Sequence, residues 1–287
     1  MKKIVLLFIL FLFCAANAVL VNVPTKFSII TFAISKYQYD WQKELSVATD
    51  AANALVNSFK DNLKDKYSNA VTFSSKQYEN SQVTRSRFKG TETNNYNFVF
   101  YNGHGTVDLI SMWPKNELIR NTEKKFGEKT YWVMMNSCLV FKNNESNQDP
   151  WFNGVHSILG YSSLSWSYKK YKHKYSCGFL NLGTCSYSRA SYYVERDFAK
   201  NWIKEKQGIW EAYKNAVKKW IYKEQGLGVE PKIVYRYGYV DGKFFDPWEE
   251  TFENSIQKPV FKNGGDYDGI GSRWITYGTP CYSTPCK

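Results

Sequence analysis

Two uninterrupted apolar runs, "NFVFY" (Asn97 to Tyr101) and "TYWVMM" (Thr130 to Met135), constrain this chain more than any other feature. A half-exposed strand alternates apolar and polar residues, and a surface helix repeats every three to four; these runs do neither. They fit short strands covered on both faces, the kind that form mostly parallel sheets. The first run exits into Asn102-Gly103-His104-Gly105, and the second into Asn136-Ser137-Cys138. Open sheets of this type gather their chemistry beyond the carboxyl ends of the strands. If the two strands are parallel neighbours, His104 and Cys138 emerge at one edge, a strand spacing or two apart.

The remaining pattern supports such a sheet. "KFSIITFAIS" (Lys26 to Ser35) is β-branched and aromatic and predicts a strand. From Trp41 to Leu63 the apolar residues Trp41, Leu45, Ala48, Ala52, Leu55, Val56, Phe59 and Leu63 mark one helical face. Ala70 to Ser74 predicts a second strand, Thr84 to Asn95 a loop, and the stretch from Pro114 through Lys125 a helix. Gly154 to Ser163 predicts a third buried strand. Ser165 to Ser188, rich in Tyr, Lys, Gly and Ser, is expected to be a long loop. Arg189 to Gln225 predicts two helices broken at Gly208, and Pro231 opens the strand "KIVYRYGYV". Strands separated by helical segments give an α/β fold with a largely parallel sheet. The expected division is a leader over 1–18, an α/β domain over 19–245, and a C-terminal wrapping segment over 246–287 with a local disulfide.

The leader has the layout of a secretory signal peptide: Lys2 and Lys3, an apolar core from Ile4 to Cys14, then Ala16-Asn17-Ala18. Its core is too short for a transmembrane anchor, so the expectation is an exported protein with none. Cleavage removes two lysines and no acids, taking the formal charge from +12 to +10. That balance favours anionic partners, such as a cell surface or wall component. Lysines alternate with acids along "IKEKQGIWEAYKNAVKKW", as on solvated helix faces, and nucleic acid is not an expected partner. Beyond the leader five cysteines remain, and exported cysteines tend to pair. Cys177 with Cys185, and Cys281 with Cys286, flank short segments and are the candidate local disulfides. Cys138 is left over, as a free thiol or an intermolecular link.

A thiol becomes a strong nucleophile as thiolate, and an adjacent imidazole can take its proton. Strand then His-Gly, followed by strand then small residue-Cys, resembles the signature of the caspase, legumain and gingipain superfamily of cysteine peptidases. The resemblance covers Lys26 to Ser163 best. It implies a three-layer sandwich with a mostly parallel central sheet and helices on both faces. It implies His104 as general acid/base, Cys138 as nucleophile, and the amides of Gly105 and Cys138 as the oxyanion hole. Peptide or protein substrates follow, with no cofactor. The sequence is also similar to a secreted microbial branch of caspase-like proteins with "GHG", a strand-end Ser/Ala-Cys and "NG-x-H-x-x-LGY", here Asn153 to Tyr161. Ser137 replaces the alanine that often precedes the cysteine, and the 34 residues from His104 to Cys138 make a short connection.

Each feature also has a plainer reading. His104 alone could mark a turn, and Cys138 alone a buried thiol packing as a small hydrophobe. His156, inside an apolar strand, is expected in the core or cleft wall and is the reserve base. His173 is expected to be exposed. Asp108, Asp149 and Asp197 are conceivable acidic pocket residues but suit surface or capping roles better. No HExxH, P-loop, dinucleotide fingerprint or clustered metal spacing occurs, so no metal is expected. "NGGDYDGIG" lacks the register of a calcium loop. The alternative to a peptidase is a non-catalytic caspase-like domain that binds a surface or wall component through basic and aromatic patches.

Overall fold

The computed structural model describes residues 23–38, 45–114, 117–127, 129–142, 151–165, 173–177, 183–187, 190–224, 226–255, 269–280 and 282. The leader therefore lies outside the described residues. In chain order the first half gives β1 (Lys26–Ala33), α1 (Ala48–Tyr67), β2 (Thr72–Glu79), α2 (Arg85–Lys89), β3 (Phe98–Asn102), β4 (Gly105–Thr106), β5 (Leu109–Ser111), β6 (Leu118–Arg120) and β7 (Trp132–Asn136). The second half gives β8 (Ser157–Tyr161), β9 (His173–Cys177), β10 (Gly183–Tyr187), α3 (Ala190–Ile203), α4 (Ile209–Val217), β11 (Pro231–Val240), β12 (Lys243–Phe245) and β13 (Gly269–Trp274).

Eight strands form the central sheet in the order β2-β1-β3-β7-β8-β11, with β12 and β13 both paired to β11. All pairs from β2 to β8 are parallel, and β11 to β13 add antiparallel strands. The chain leaves β1 through α1 to reach β2 on one side, then returns to β3 on the other. Strand order thus reverses beside β1, and sheets of this kind place their sites at the strands' carboxyl ends beside such a reversal.

Alternation along the strands sends Phe98, Phe100, Trp132 and Met134 to one face, against Leu55 and Phe59 of α1, Phe198 and Trp202 of α3, and Tyr213 of α4. Val99, Tyr101, Val133 and Met135 go to the other, against Phe88 of α2, Ile110, Ile119 and Trp151. Helices therefore flank both faces, three long ones on the first and the five-residue α2 on the second.

Several elements differ from expectation. Helix α1 begins at Ala48 and runs to Tyr67, because Leu45 to Val47 form a turn; 39–44 lie outside the described residues. Ser35, past the end of β1, caps it from outside, its Oγ accepting from Thr49 N at 3.0 Å. The helix expected from Pro114 to Lys125 is absent among the described residues there. Ile119 alone is buried between exposed Leu118 and Arg120, a period of two, and β6 pairs with β5 in a small three-stranded sheet. The expected long loop from Ser165 contains the β9–β10 hairpin. Strand β13, within the expected wrapping segment, extends the main sheet.

Candidate active site

The β3–β7 register pairs Asn102 with Asn136, so Gly103-His104 and Ser137-Cys138 leave neighbouring parallel strands at the same height. The two turns touch. Gly103 N donates to Asn136 O at 3.4 Å, and a Cβ placed on Gly105 would lie 1.9 Å from Ser137 Oγ.

The glycines on either side of His104 now have separate reasons. A Cβ on Gly103 would lie 2.3 Å from the Tyr101 hydroxyl and 3.0 Å from that of Tyr37. Those phenols hold the turn: Tyr37 OH accepts from His104 N at 2.6 Å, and Tyr101 OH lies 3.1 Å from His104 O and 2.5 Å from Ser111 O. Burial pushes both phenols up, so they serve as neutral hydroxyls. The His104 ring stacks on Tyr37 with centroids 4.9 Å apart and planes at 28°. Ser111 N donates to His104 O, which makes Gly105 and Ile110 a non-hydrogen-bonded pair of the β4–β5 ladder. The Gly105 amide therefore points away from β5. Gly105→Ala should push the two turns apart and destabilise the fold by about 1–3 kcal/mol. Thermal unfolding checks this, and an unchanged Tm would show that the turns do not need their contact.

Cys138 is half-buried and free. Its Sγ lies 3.6 Å from Ser165 Oγ and 3.7 Å from Ser165 O, both just past the end of β8. Burial pushes the thiol up, and the two Ser165 contacts only partly offset it, so the resting sulfur is protonated. Leu139 follows with φ at 56°, a left-handed conformation costing a γ-branched residue about 1–2 kcal/mol. Its amide donates to Ser163 O at 3.0 Å, so β8 holds the strained turn in place.

Asn136 Nδ2, at the end of β7, donates to Glu195 Oε1 of α3 at 2.5 Å. Glu195 is 1% exposed. Burial pushes its carboxyl up to about 8, against the opposing pull of the Asn136 hydrogen bond. A carboxyl raised from 4.5 stabilises the fold fully below about 4.5 and loses that contribution as pH rises through about 8. Wild-type stability should therefore fall across this window by a few kcal/mol more than that of Glu195→Gln. Urea titrations at several pH values check it; parallel curves would refute the buried acid.

The other expected residues scatter. His156 sits just before β8, at the amino ends of the parallel strands, whereas Cys138 lies past their carboxyl ends. A five-residue strand between those levels spans about 16 Å. The structure does not bring His156 to the Cys138 edge; it is buried, with Nδ1 3.1 Å from Glu250 Oε2 and its ring stacked on Tyr131. Asp197 is tied to Lys219 and Trp220, and Asp108 lies in the β4–β5 turn with φ at 61°. Asp149 lies outside the described residues. His173 and Cys177 are in β9, and the backbone register pairs Cys177 with Gly183 and Cys185 with Tyr175. Cys281 and Cys286 lie outside the described residues. Among the described residues, no three His, Cys, Asp or Glu side chains come together as a metal-binding group, and no helix is long and apolar enough to cross a membrane. Sequence reasoning missed Tyr37, Tyr101, Ser165 and Glu195. Only Tyr101 carried a signal, as the last apolar residue of the run before His104.

Residues 33–241 match the family model described as "Domain of unknown function (DUF6345)". No curated protein matches the chain. Among solved structures, the chain is similar to a secreted C11 cysteine protease from Bacteroides thetaiotaomicron in complex with an irreversible peptide inhibitor. That match has 9% identity, a TM-score of 0.45, and covers 74% of this chain and 66% of that one. It is also similar to the Arg specific cysteine proteinase gingipain R, at 9% identity and TM-score 0.44, covering 81% and 65%. A third is Caspase-1 from Spodoptera frugiperda, at 10% identity and TM-score 0.38, covering 69% and 78%. The chain spans just under two thirds of the length of the first two. The α/β architecture rests on the strand order and register above.

Proposed function

The chain belongs to the DUF6345 family, and from its strand-end site we propose that it is a secreted caspase-like cysteine peptidase acting on peptide or protein substrates. One observation carries this reading: His104 and Cys138 leave adjacent parallel strands at equal height, with Gly105 packed against Ser137. In the reaction, the Cys138 sulfur turns from Ser165 and passes its proton to the His104 ring. The thiolate attacks the substrate carbonyl carbon, and the Gly105 and Cys138 amides hold the developing oxyanion. His104 returns the proton to the departing amine, leaving an acyl thioester on Cys138. Water then attacks the thioester, with His104 taking its proton, and the acid leaves as the thiol is restored. Export by removal of 1–18 belongs to the same reading, as do the pairings of Cys177 with Cys185 and of Cys281 with Cys286.

The test is a peptide library incubated with the reduced protein, with and without prior alkylation by iodoacetamide. Cleavage that alkylation abolishes is expected. No cleavage, together with a Cys138 that alkylates no faster than a model thiol, overturns the proposal.

One observation favours a second reading, a non-catalytic caspase-like domain that binds an anionic surface or wall component. The sulfur's hydrogen-bond partners are Ser165 O and Oγ, and burial raises the thiol. Binding to wall polysaccharide at moderate salt that survives Cys138→Ala would support this reading. Loss of all binding at that salt would end it.

A further inference from the structure

We propose that Tyr37 is a positioning residue for His104: its ring fixes the plane of the imidazole, and its hydroxyl fixes the backbone that carries it. The inference deepens the peptidase reading and rests on His104 and Cys138 being its reacting pair.

Tyr37 reaches the site from the segment that follows β1, and that segment is held on several sides. Ile34 N donates to Asn102 O at 2.9 Å, which carries the β1–β3 ladder one step beyond the strand. The chain then turns on Asn80, just past β2, whose Oδ1 accepts from Ser35 N and Lys36 N at 2.9 Å each. Ser35 O accepts from Leu45 N at 2.9 Å, from the turn before α1. The residues before Tyr37 are therefore pinned by β2's end, β3 and the start of α1. Its own side chain is buried in the apolar cluster on the α2 face.

Two contacts from this one side chain converge on His104. The phenol oxygen accepts from His104 N at 2.6 Å, and the ring lies on the imidazole with centroids 4.9 Å apart and planes at 28°. Filling space would call for neither. Gly103 gives the same indication: its φ is not positive, so the backbone there does not need a glycine, yet a Cβ would lie 3.0 Å from the Tyr37 hydroxyl. The missing side chain makes room for the phenol. Tyr101 holds the other side of the turn, its hydroxyl 3.1 Å from His104 O. The stack has two consequences for the base. An imidazole carries both nitrogens in its ring plane, so fixing that plane confines its hydrogen bonds to one sheet of directions. An unstacked ring would sample several rotamers, of which only some meet the sulfur. Second, His104 becomes a cation when it takes the Cys138 proton, and the negative face of an aromatic ring favours a cation lying on it. Tyr37 and Tyr101 bring no charge of their own, since burial keeps both phenols protonated.

The test reads the thiol and does not need peptidase activity. The rate of Cys138 alkylation by iodoacetamide at neutral pH is measured in wild type, Tyr37→Phe and Tyr37→Leu, and in each again with His104→Ala. Leucine removes the stacked ring, so Tyr37→Leu should alkylate about twofold to fivefold more slowly than wild type. Phenylalanine keeps the ring, so Tyr37→Phe should keep the wild-type rate, with a lower Tm because the His104 amide loses its acceptor. In the His104→Ala background all three should alkylate alike, because Tyr37 acts through the imidazole. A general loosening of the site would instead change the rate in both backgrounds. Equal rates for wild type and Tyr37→Leu, equal losses in Tyr37→Phe and Tyr37→Leu, or a leucine effect that persists without His104 would each overturn the proposal. If Tyr37→Leu fails to fold, wild type labelled at its three histidines carries the test. Comparison with His104→Ala assigns the His104 signals, and cross-relaxation between its ring protons and those of Tyr37 is expected; its absence overturns the stack. A His104-dependent effect of Tyr37 in a protein that cleaves no peptide would sink the peptidase reading and leave this pairing intact. Peptide cleavage with equal rates for wild type and Tyr37→Leu would do the reverse.

Discussion

Cys138→Ala should lower kcat/KM, for any peptide the wild type cleaves, by at least about 10,000-fold while leaving the fold intact. The side chain is half-buried and hydrogen-bonded only weakly, at 3.6 and 3.7 Å to Ser165, so the structural cost of removing it is small. The chemical cost is large because no other group at this edge can form the thioester. Residues that act as one unit fail together, so His104→Ala alone should cost nearly as much as the double variant. Steady-state kinetics on the three proteins, with thermal unfolding as control, decides it. Losses that multiply in the double variant would mean the two side chains act independently.

Glu250→Ala should have the largest effect on stability, about 3–5 kcal/mol. Its buried carboxylate accepts from Trp132 Nε1 at 2.7 Å and meets His156 Nδ1 at 3.1 Å, while its backbone O accepts from Trp202 Nε1 at 3.1 Å and Ile209 N at 2.9 Å. Removing the carboxylate takes the acceptor from an indole and an imidazole that have no exposed surface to meet water. Glu250→Gln retains an oxygen for one of them and should lose less than Glu250→Ala. Urea denaturation of both variants measures the difference. A cost below about 1 kcal/mol for alanine would show that the segment around Glu250 merely rests on the sheet.

What the sequence revealed depended on how local the physics was. Strands β3, β7 and β8 were legible because residues buried on both faces leave an unbroken apolar run. Their exits were legible because His104 and Cys138 follow small, polar residues. Their equal height was not, because it is fixed by a ladder between residues 34 apart that no local pattern records. The stretch 114–125 was misread because Ile119 is its one buried apolar residue among those described, too few to separate a period of two from one of 3.6. Ser165, Tyr37 and Glu195 reach the site from other segments by the fold alone. His156, expected as a core or cleft-wall residue and held in reserve as the base, is a buried residue bonded to Glu250; it precedes β8 and so falls at the edge opposite Cys138.

The most direct test of the account is covalent. A peptide carrying a chloromethyl ketone alkylates a cysteine far faster where the peptide is bound and an imidazole and an oxyanion site align it than where the thiol stands alone. Intact-mass and peptide mapping of the labelled protein should place one peptidyl group on Cys138. Labelling should exceed that by iodoacetamide at equal concentration and fall to the iodoacetamide level in His104→Ala. Peptidyl labelling no faster than iodoacetamide, or unchanged when His104 is removed, would contradict a Cys138–His104 catalytic pair.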